Sequence, residues 1–413
     1  MKEYNKRIKC AICHNQKLDT ILDYGDIQLA GNFPTYDEIN YVKKYNLELQ
    51  YCSNCHLIQT NSTINADTLF KDYRYLSSIG LQNHFNEYAN FLSDRFNLNS
   101  DSKILEIGSN DGVLLEPMMN KGLDIVGFEP SDNISKIAID RGCNVIHDYF
   151  SFDTIKKYCK KSDYDLITSS NSFAHINDIH SVVKGINYAL KNDGHFIFEV
   201  HYGKNIIEET QYDNVYHEHI YYYTVNALKN LFEPYDMTII DVIEMPIHSG
   251  SIRVTVKNIK EEYNDKIINI LNDEIDLGMT SIDYYENFKN NVISHKLEIY
   301  DTLIKLKNEG YTIGGYGASG RANTLCNFCG IDNKIIDYII DESPERYDRF
   351  INGIPIYHPD KIDASTDYMV IFAWNYSEMI MSKLVNKYDF KYIIPFPTVV
   401  VISNIDELNI KTL

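Results

Sequence analysis

Nowhere in this chain is there a run of about 20 apolar residues, the length a helix needs to cross a bilayer, so no membrane role is expected. Positive charge is also scarce: 39 Lys and Arg stand against 58 Asp and Glu, a formal charge of -19. That balance excludes a nucleic-acid polymer as partner, because such binding rests on a broad cationic surface. A small nucleotide held by a few local groups remains compatible with it. The opening Met1-Lys2-Glu3-Tyr4-Asn5-Lys6-Arg7 has no apolar segment behind it, so no secretory leader is expected and the chain reads as cytoplasmic. What is present is ordinary for a globular protein, 44% hydrophobic residues over 413 positions, enough for two or three domain cores. The 33 tyrosines accompany many Asn, Lys and Ile residues and read as an AT-rich coding bias, so a tyrosine outside a motif carries little weight.

Cysteine is sparse but patterned. Cys10-Ala-Ile-Cys13 is answered by Cys52-Ser-Asn-Cys55, and two Cys-x2-Cys pairs in a reducing compartment point to one tetrahedral zinc site. Four protein ligands leave no open position, so this zinc is expected to be structural. The intervening excursion includes Leu29-Ala30-Gly31-Asn32-Phe33-Pro34, and a polar aromatic segment around Tyr75 follows the second pair. This first domain is placed at residues 1–80.

Residues 81–256 read as a cofactor domain. Residues 102–115 have the pattern of a buried strand, a glycine turn and a helix start, with Glu106, Gly108, Asn110, Asp111 and Gly112 at the turn. The spacing lacks the Gly-x-Gly-x-x-Gly that seats a pyrophosphate on a helix N-terminus. S-adenosylmethionine has no pyrophosphate and needs an acid for its ribose hydroxyls, which Glu129, followed by Pro130, supplies at the end of the next strand. Asp148, Tyr149 and Phe150 would then lie near the adenine. Further strands over 164–170 and 194–200 complete a doubly wound α/β sheet, with Asn171 and His175 after the fourth and His201 after the fifth.

Past the fifth strand comes Tyr216-His217-Glu218-His219, two imidazoles, a carboxylate and a phenol in four residues. Histidine can take and return a proton near neutral pH, a carboxylate can orient its ring, and a phenol can meet a developing oxyanion. A polar loop with incidental histidines and a His-x-His metal site are the alternatives, the second lacking a further ligand at a usual spacing. Placement over the cofactor edge of the sheet favours catalysis.

Residues 257–310 carry Phe288, Val292, His295, Ile299, Leu303 and Leu306 at helical spacing and read as one connecting helix. Residues 311–413 form a second, smaller Rossmann-like unit. Its Gly315-x-Gly317-x-x-Gly320 turn, with Asp341 one βαβ unit later, formally fits a dinucleotide and equally fits a nucleotide-sugar diphosphate. Cys326 and Cys329 read as buried packing.

Taken in order, these motifs resemble the sugar C-methyltransferases that branch nucleotide-linked deoxysugars. The resemblance implies a zinc-binding module, a class I S-adenosylmethionine methyltransferase domain and a C-terminal Rossmann-like domain facing the nucleotide sugar. It also implies that C3 of a 4-keto sugar loses a proton and takes the methyl group. His219 matches the proposed base, with Tyr216, Glu218, His175 and Tyr75 around it. Substrate contacts are then expected from His217, Tyr221, His248 and Arg253, and from Tyr316, Gly317, Ala318, Arg321, Asn323 and Asp341 of the last domain. The turn departs from the family at Ala318-Ser-Gly-Arg321, where Pro and Lys are usual. A monomer is the expected state. An O- or N-methyltransferase on a nucleotide sugar, an NAD-dependent sugar oxidoreductase and a non-catalytic sugar-nucleotide binder are the rival readings.

Overall fold

Seven strands in the middle of the chain build the sheet on which the site rests, in a computed structural model that describes residues 3–71, 73 and 76–404. They are β1 (Lys103–Ile107), β2 (Asp124–Phe128), β3 (Val145–Ile146), β4 (Tyr164–Ser170), β5 (Leu190–His201), β6 (Thr238–Met245) and β7 (Ser251–Lys257). Their spatial order is 3-2-1-4-5-7-6, parallel from β3 to β5, with β7 antiparallel to both β5 and β6. Consecutive apolar residues such as Ile104-Leu105, Leu166-Ile167 and Phe196-Ile197-Phe198 are buried on both faces, as parallel strands covered by helices require. The order reverses between β1 and β4, which opens a crevice at their C-terminal ends. Because β7 runs backwards, its N-terminal end joins the same edge: Ser251 pairs with His201.

The cysteine-bearing residues fold as an antiparallel sheet of Asp19–Gln28, Lys44–Tyr51 and Ile58–Thr60. A fourth strand, Tyr221–Tyr222, comes from the chain beyond β5 and pairs Tyr221 with Gln59 and Tyr222 with Ile58. The segment just after Tyr216-His219 is thus a strand of the N-terminal sheet.

The expected single helix is two, Asp265–Asp276 and Ile282–Asn308, separated at Gly278, whose φ of +84° ends the first. The second buries Tyr285, Phe288, Val292, His295, Ile299 and Leu303, with Leu306 only partly covered. A further seven-stranded sheet follows. Ile313–Tyr316, Tyr338–Ile340, Ile354–Tyr357, Tyr368–Ile371 and Lys391–Ile394 are parallel, and Phe350–Ile351 and Val400–Ile402 close its edges antiparallel. One apolar core joins Leu22, Tyr24 and Leu49 of the first sheet to Tyr212, Phe288 and Cys326, so the two ends of the chain pack together. Among the described residues no helix is long and apolar enough to cross a membrane.

Candidate functional site

The four cysteines meet as their spacing requires. Sγ of Cys10 lies 3.4 Å from that of Cys55, Cys13 lies 3.5 Å from Cys52, and all four ligand atoms fall within 4.8 Å. A zinc tetrahedron with bonds near 2.3 Å has edges of about 3.8 Å, so the ion fits. Each pair is followed by a residue in left-handed backbone, His14 (φ +59°) and His56 (φ +63°), whose N–H returns to the first cysteine's carbonyl.

At the end of β1 the chain turns through Gly108 (φ +71°), where an added Cβ would come within 2.5 Å of Ser172, and Gly112 (φ +81°). These two positions need glycine. Between them Asn110 donates its N–H to Glu129 Oε2 at 2.9 Å, while Glu129 Oε1 accepts the N–H and hydroxyl of Ser131 at 2.9 and 2.6 Å. The side-chain oxygen of Asn110 holds the N–H of Ser77. Asp111 accepts from the hydroxyl of Ser78 and pairs with Arg141, and Pro130 presents its carbonyl to His147. Burial, then the nearness of Glu129 and Asp111, pushes the Glu106 carboxyl well above the usual range. Glu106 Oε2, Asp111 Oδ1 and Asn171 Oδ1 are buried acceptors without a protein donor. An acceptor-rich cradle suits a ligand carrying an ammonium and a sulfonium and opposes a pyrophosphate. S-adenosylmethionine therefore fits this turn.

Of the residues expected near the adenine, Asp148 accepts the N–H of Tyr149, and the Tyr149 hydroxyl donates to Asp67. Phe150 does not join them. Its ring is buried edge-on against Phe128 at 5.2 Å, turned inward where the chain enters the helix Phe152–Tyr158.

The acid/base cluster lies beside this crevice. A short turn, Tyr212–Asn214, delivers Tyr216, whose hydroxyl is 2.8 Å from His219 Nε2. His219 Nδ1 lies 3.2 Å from the Asn214 carbonyl. A carbonyl can only accept, so Nδ1 carries the proton and Nε2 is the basic nitrogen, accepting from Tyr216. Burial and the adjacent His175 and His201 push His219 well below its ordinary pKa, which keeps it neutral. Burial pushes His175, in the turn after β4, down to about 4; its ring is edge-on to His219 at 4.7 Å.

Glu218 does not orient the histidine. Its Oε1 accepts the N–H of Gly31 at 2.9 Å from the cysteine-bearing domain, and Oε2 is buried without a donor. Burial raises its carboxyl. His217 packs against Tyr45 and makes no ring contact with the other histidines among the described residues. Tyr75 lies outside the described residues.

Several expected substrate contacts are occupied structurally. The Tyr221 hydroxyl donates to the Asn177 carbonyl at 2.7 Å and accepts from Arg7, because strand pairing draws it into the N-terminal sheet. Arg253 is buried in a two-pronged bond to Glu199 (2.9 and 2.5 Å), with its guanidinium over the Tyr88 and Phe91 rings. Asn323 donates to the carbonyls of Leu29, Ala30 and Asn32 and accepts from Gln28, bolting the last domain to the first. Tyr316 donates to Glu342. Gly317 (φ +96°) is required by Ala373, whose Cβ a side chain would meet at 2.6 Å. The Ala318 N–H, the donor a phosphate would use, is held by Asp341 at 2.7 Å, and Asp341 is paired with Arg346.

His248 and Arg321 lie near the histidine cluster. Arg321 grips Asp213 at 2.9 and 3.0 Å, reaches Ser249 at 3.2 Å and stacks on Trp374. His248 and Ser249 hold left-handed φ of +54° and +65° just before Gly250, a loop that lines a cleft of about 680 Å³ with His84, Asn205 and Trp374. Asp213, the Asn214 carbonyl, Gly31 and Trp374 had no motif to reveal them; His201 was visible only as a residue after a strand end.

Three family models match successive parts of the chain: a zinc binding domain over residues 10–70, a methyltransferase domain over 80–242 and a C-methyltransferase C-terminal domain over 246–397. The C-methyltransferase NovU of Streptomyces niveus is 28% identical over 410 residues, covering 96% of this chain and 97% of its own. A ubiquinone biosynthesis O-methyltransferase of Yersinia enterocolitica is 29% identical over 104 residues, 24% of this chain and 42% of its own. A solved S-adenosylmethionine-dependent methyltransferase from Clostridium acetobutylicum has a TM-score of 0.35 at 14% identity, over 44% of this chain and 92% of that one.

Proposed function

Because the chain belongs to the S-adenosylmethionine-dependent C-methyltransferases that join a zinc-binding domain, a methyltransferase domain and a C-methyltransferase C-terminal domain, we propose that it methylates C3 beside the ketone of a nucleotide-linked 4-keto sugar. The observation that carries this reading is the Tyr216–His219 pair, a neutral imidazole with its basic nitrogen defined, beside the cofactor turn. O-methylation requires no carbon acid. A hydrogen α to a ketone is removable by a histidine only when the enolate oxygen is stabilised.

His219 Nε2 takes the C3 proton, and the Tyr216 hydroxyl, freed from that nitrogen, donates to the oxygen at C4. S-adenosylmethionine, when bound, supplies an electrophilic methyl group. Glu129 and the turn from Gly108 to Gly112 hold it against the crevice, and much of the rate then comes from alignment. His175, edge-on to His219, is the second imidazole available to the reaction, and the resemblance to the family adds Glu218 and Tyr75 to the candidate residues. The cleft beside His248 has the size of a ligand site, and Arg321, already paired with Asp213, braces two of its lining residues, Ser249 and Trp374. The test is mass spectrometry of candidate 4-keto nucleotide sugars incubated with enzyme and S-adenosylmethionine. A product heavier by one methylene whose fragments place the carbon on the sugar skeleton is expected. A methyl group on oxygen or nitrogen would overturn the reading.

A further inference from the structure

The proposed reaction releases one proton per turnover into a buried place. His219 has 8% of its surface exposed, and the groups around it resist a lasting charge. The base must therefore lose its proton before it can act again. Its nearest neighbour towards the outside is another imidazole, His201, at 5.0 Å between ring centroids, and His201 is in turn 5.6 Å from His248. His248 lines the open cleft. Among the described residues no hydrogen bond joins these rings directly, so transfer along the row needs a small ring movement or an intervening water.

We propose that His201 and His248 relay the proton from His219 to the cleft. This rests on the C3-methylation reading above. The C3–H bond breaks to His219 Nε2, the C–C bond forms as the methyl leaves its sulfur, and the proton passes His219 to His201 to His248 to solvent. No oxidant or reductant is involved. Two features of the fold support the path. The end of β5 and the start of antiparallel β7 meet at the His201–Ser251 pair, which brings the loop holding His248 beside His201. That loop carries two consecutive non-glycine residues in left-handed backbone, a strained shape maintained against its own cost. The charged groups facing the row are Arg321, near both His201 and His248, and at the outer end Glu199, already bonded to His84 and Arg253. Among the described residues neither ring makes a side-chain hydrogen bond; each contacts the next imidazole of the row.

The relay makes a specific kinetic prediction for His201→Gln. Methyl transfer in the first turnover, followed by rapid quench, should stay within about twofold of the native rate, because the base itself is intact. Steady-state kcat should fall by about tenfold, since deprotonation of His219 becomes limiting, and added imidazole should restore it through the open cleft. S-adenosylhomocysteine affinity, measured on the same sample, confirms a folded site; His201→Asn replaces the variant if it does not fold. Equal losses in the first and later turnovers, no loss at all, or a loss that imidazole leaves untouched would overturn the relay. If the native enzyme methylates no 4-keto nucleotide sugar, the functional reading fails instead, and that is seen before any variant is compared.

Discussion

Gly31 of the zinc-binding domain donates its N–H to the Glu218 carboxylate, 2.9 Å away and 187 residues later in the chain. An added Cβ at Gly31 would come within 3.1 Å of the same oxygen. The loop that closes on Glu218 is also the one whose carbonyls receive Asn323, so it touches both other domains. Through this loop the zinc-binding domain is tied both to the segment that carries His219 and to the last domain.

Replacing Cys52 with Ser should accordingly reduce zinc below one per chain and lower kcat more than it lowers S-adenosylhomocysteine affinity, because the cofactor turn lies on β1 and β2. Metal analysis alongside calorimetry checks both. Full zinc content in the variant would remove the four-cysteine assignment.

Glu129 directly follows β2 with both oxygens engaged by backbone and Ser131, and it is the proposed acceptor for the ribose hydroxyls. Glu129→Ala should weaken S-adenosylhomocysteine by about 1.5–3 kcal/mol, the scale of hydrogen bonds to a charged group. Unchanged affinity by calorimetry would move the cofactor elsewhere.

Arg253 is expected to matter for folding. Its removal as Arg253→Met strands the buried Glu199, which keeps only His84, and should cost about 3–5 kcal/mol of stability by denaturant titration. KM for the sugar nucleotide should stay near the native value in the folded fraction. A raised KM at native stability would return Arg253 to the substrate.

The local geometry of the turn and of the cysteine cluster is legible in the sequence. Gly108, Gly112 and Glu129 declare themselves because a turn needing positive φ and an acid one strand later are local, short-range requirements. The cysteine pairs do so because two ligands each lie within one turn. Arg253, Asn323 and Tyr221, expected as substrate contacts, have their polar groups taken up by the protein, and for one shared reason this was not visible. Their partners, Glu199, the carbonyls at 29–32 and Gln59, are distant in sequence, and no local pattern encodes such a pairing. Phe150 differs: its ring is buried against Phe128, and β3 is two residues long, too short for alternation to say which side a following ring takes. The fingerprint at Gly315 illustrates the opposite hazard. Gly317 makes a tight turn against Ala373, Gly315 lies against Phe372 and Gly320 against Ala30, and the amide a phosphate would want is held by Asp341.

The central claim is that His219 removes a proton from carbon, and exchange can be followed without methyl transfer. With S-adenosylhomocysteine filling the cofactor site, the native enzyme should exchange the C3 hydrogen of its 4-keto nucleotide sugar with deuterated water, read by NMR. His219→Asn keeps a hydrogen-bonding side chain but no basic nitrogen, so exchange and methylation should both fall by about 10²-fold or more, while His217→Asn changes them little. Exchange that survives in His219→Asn and is lost in His175→Asn would contradict the account and make His175 the base.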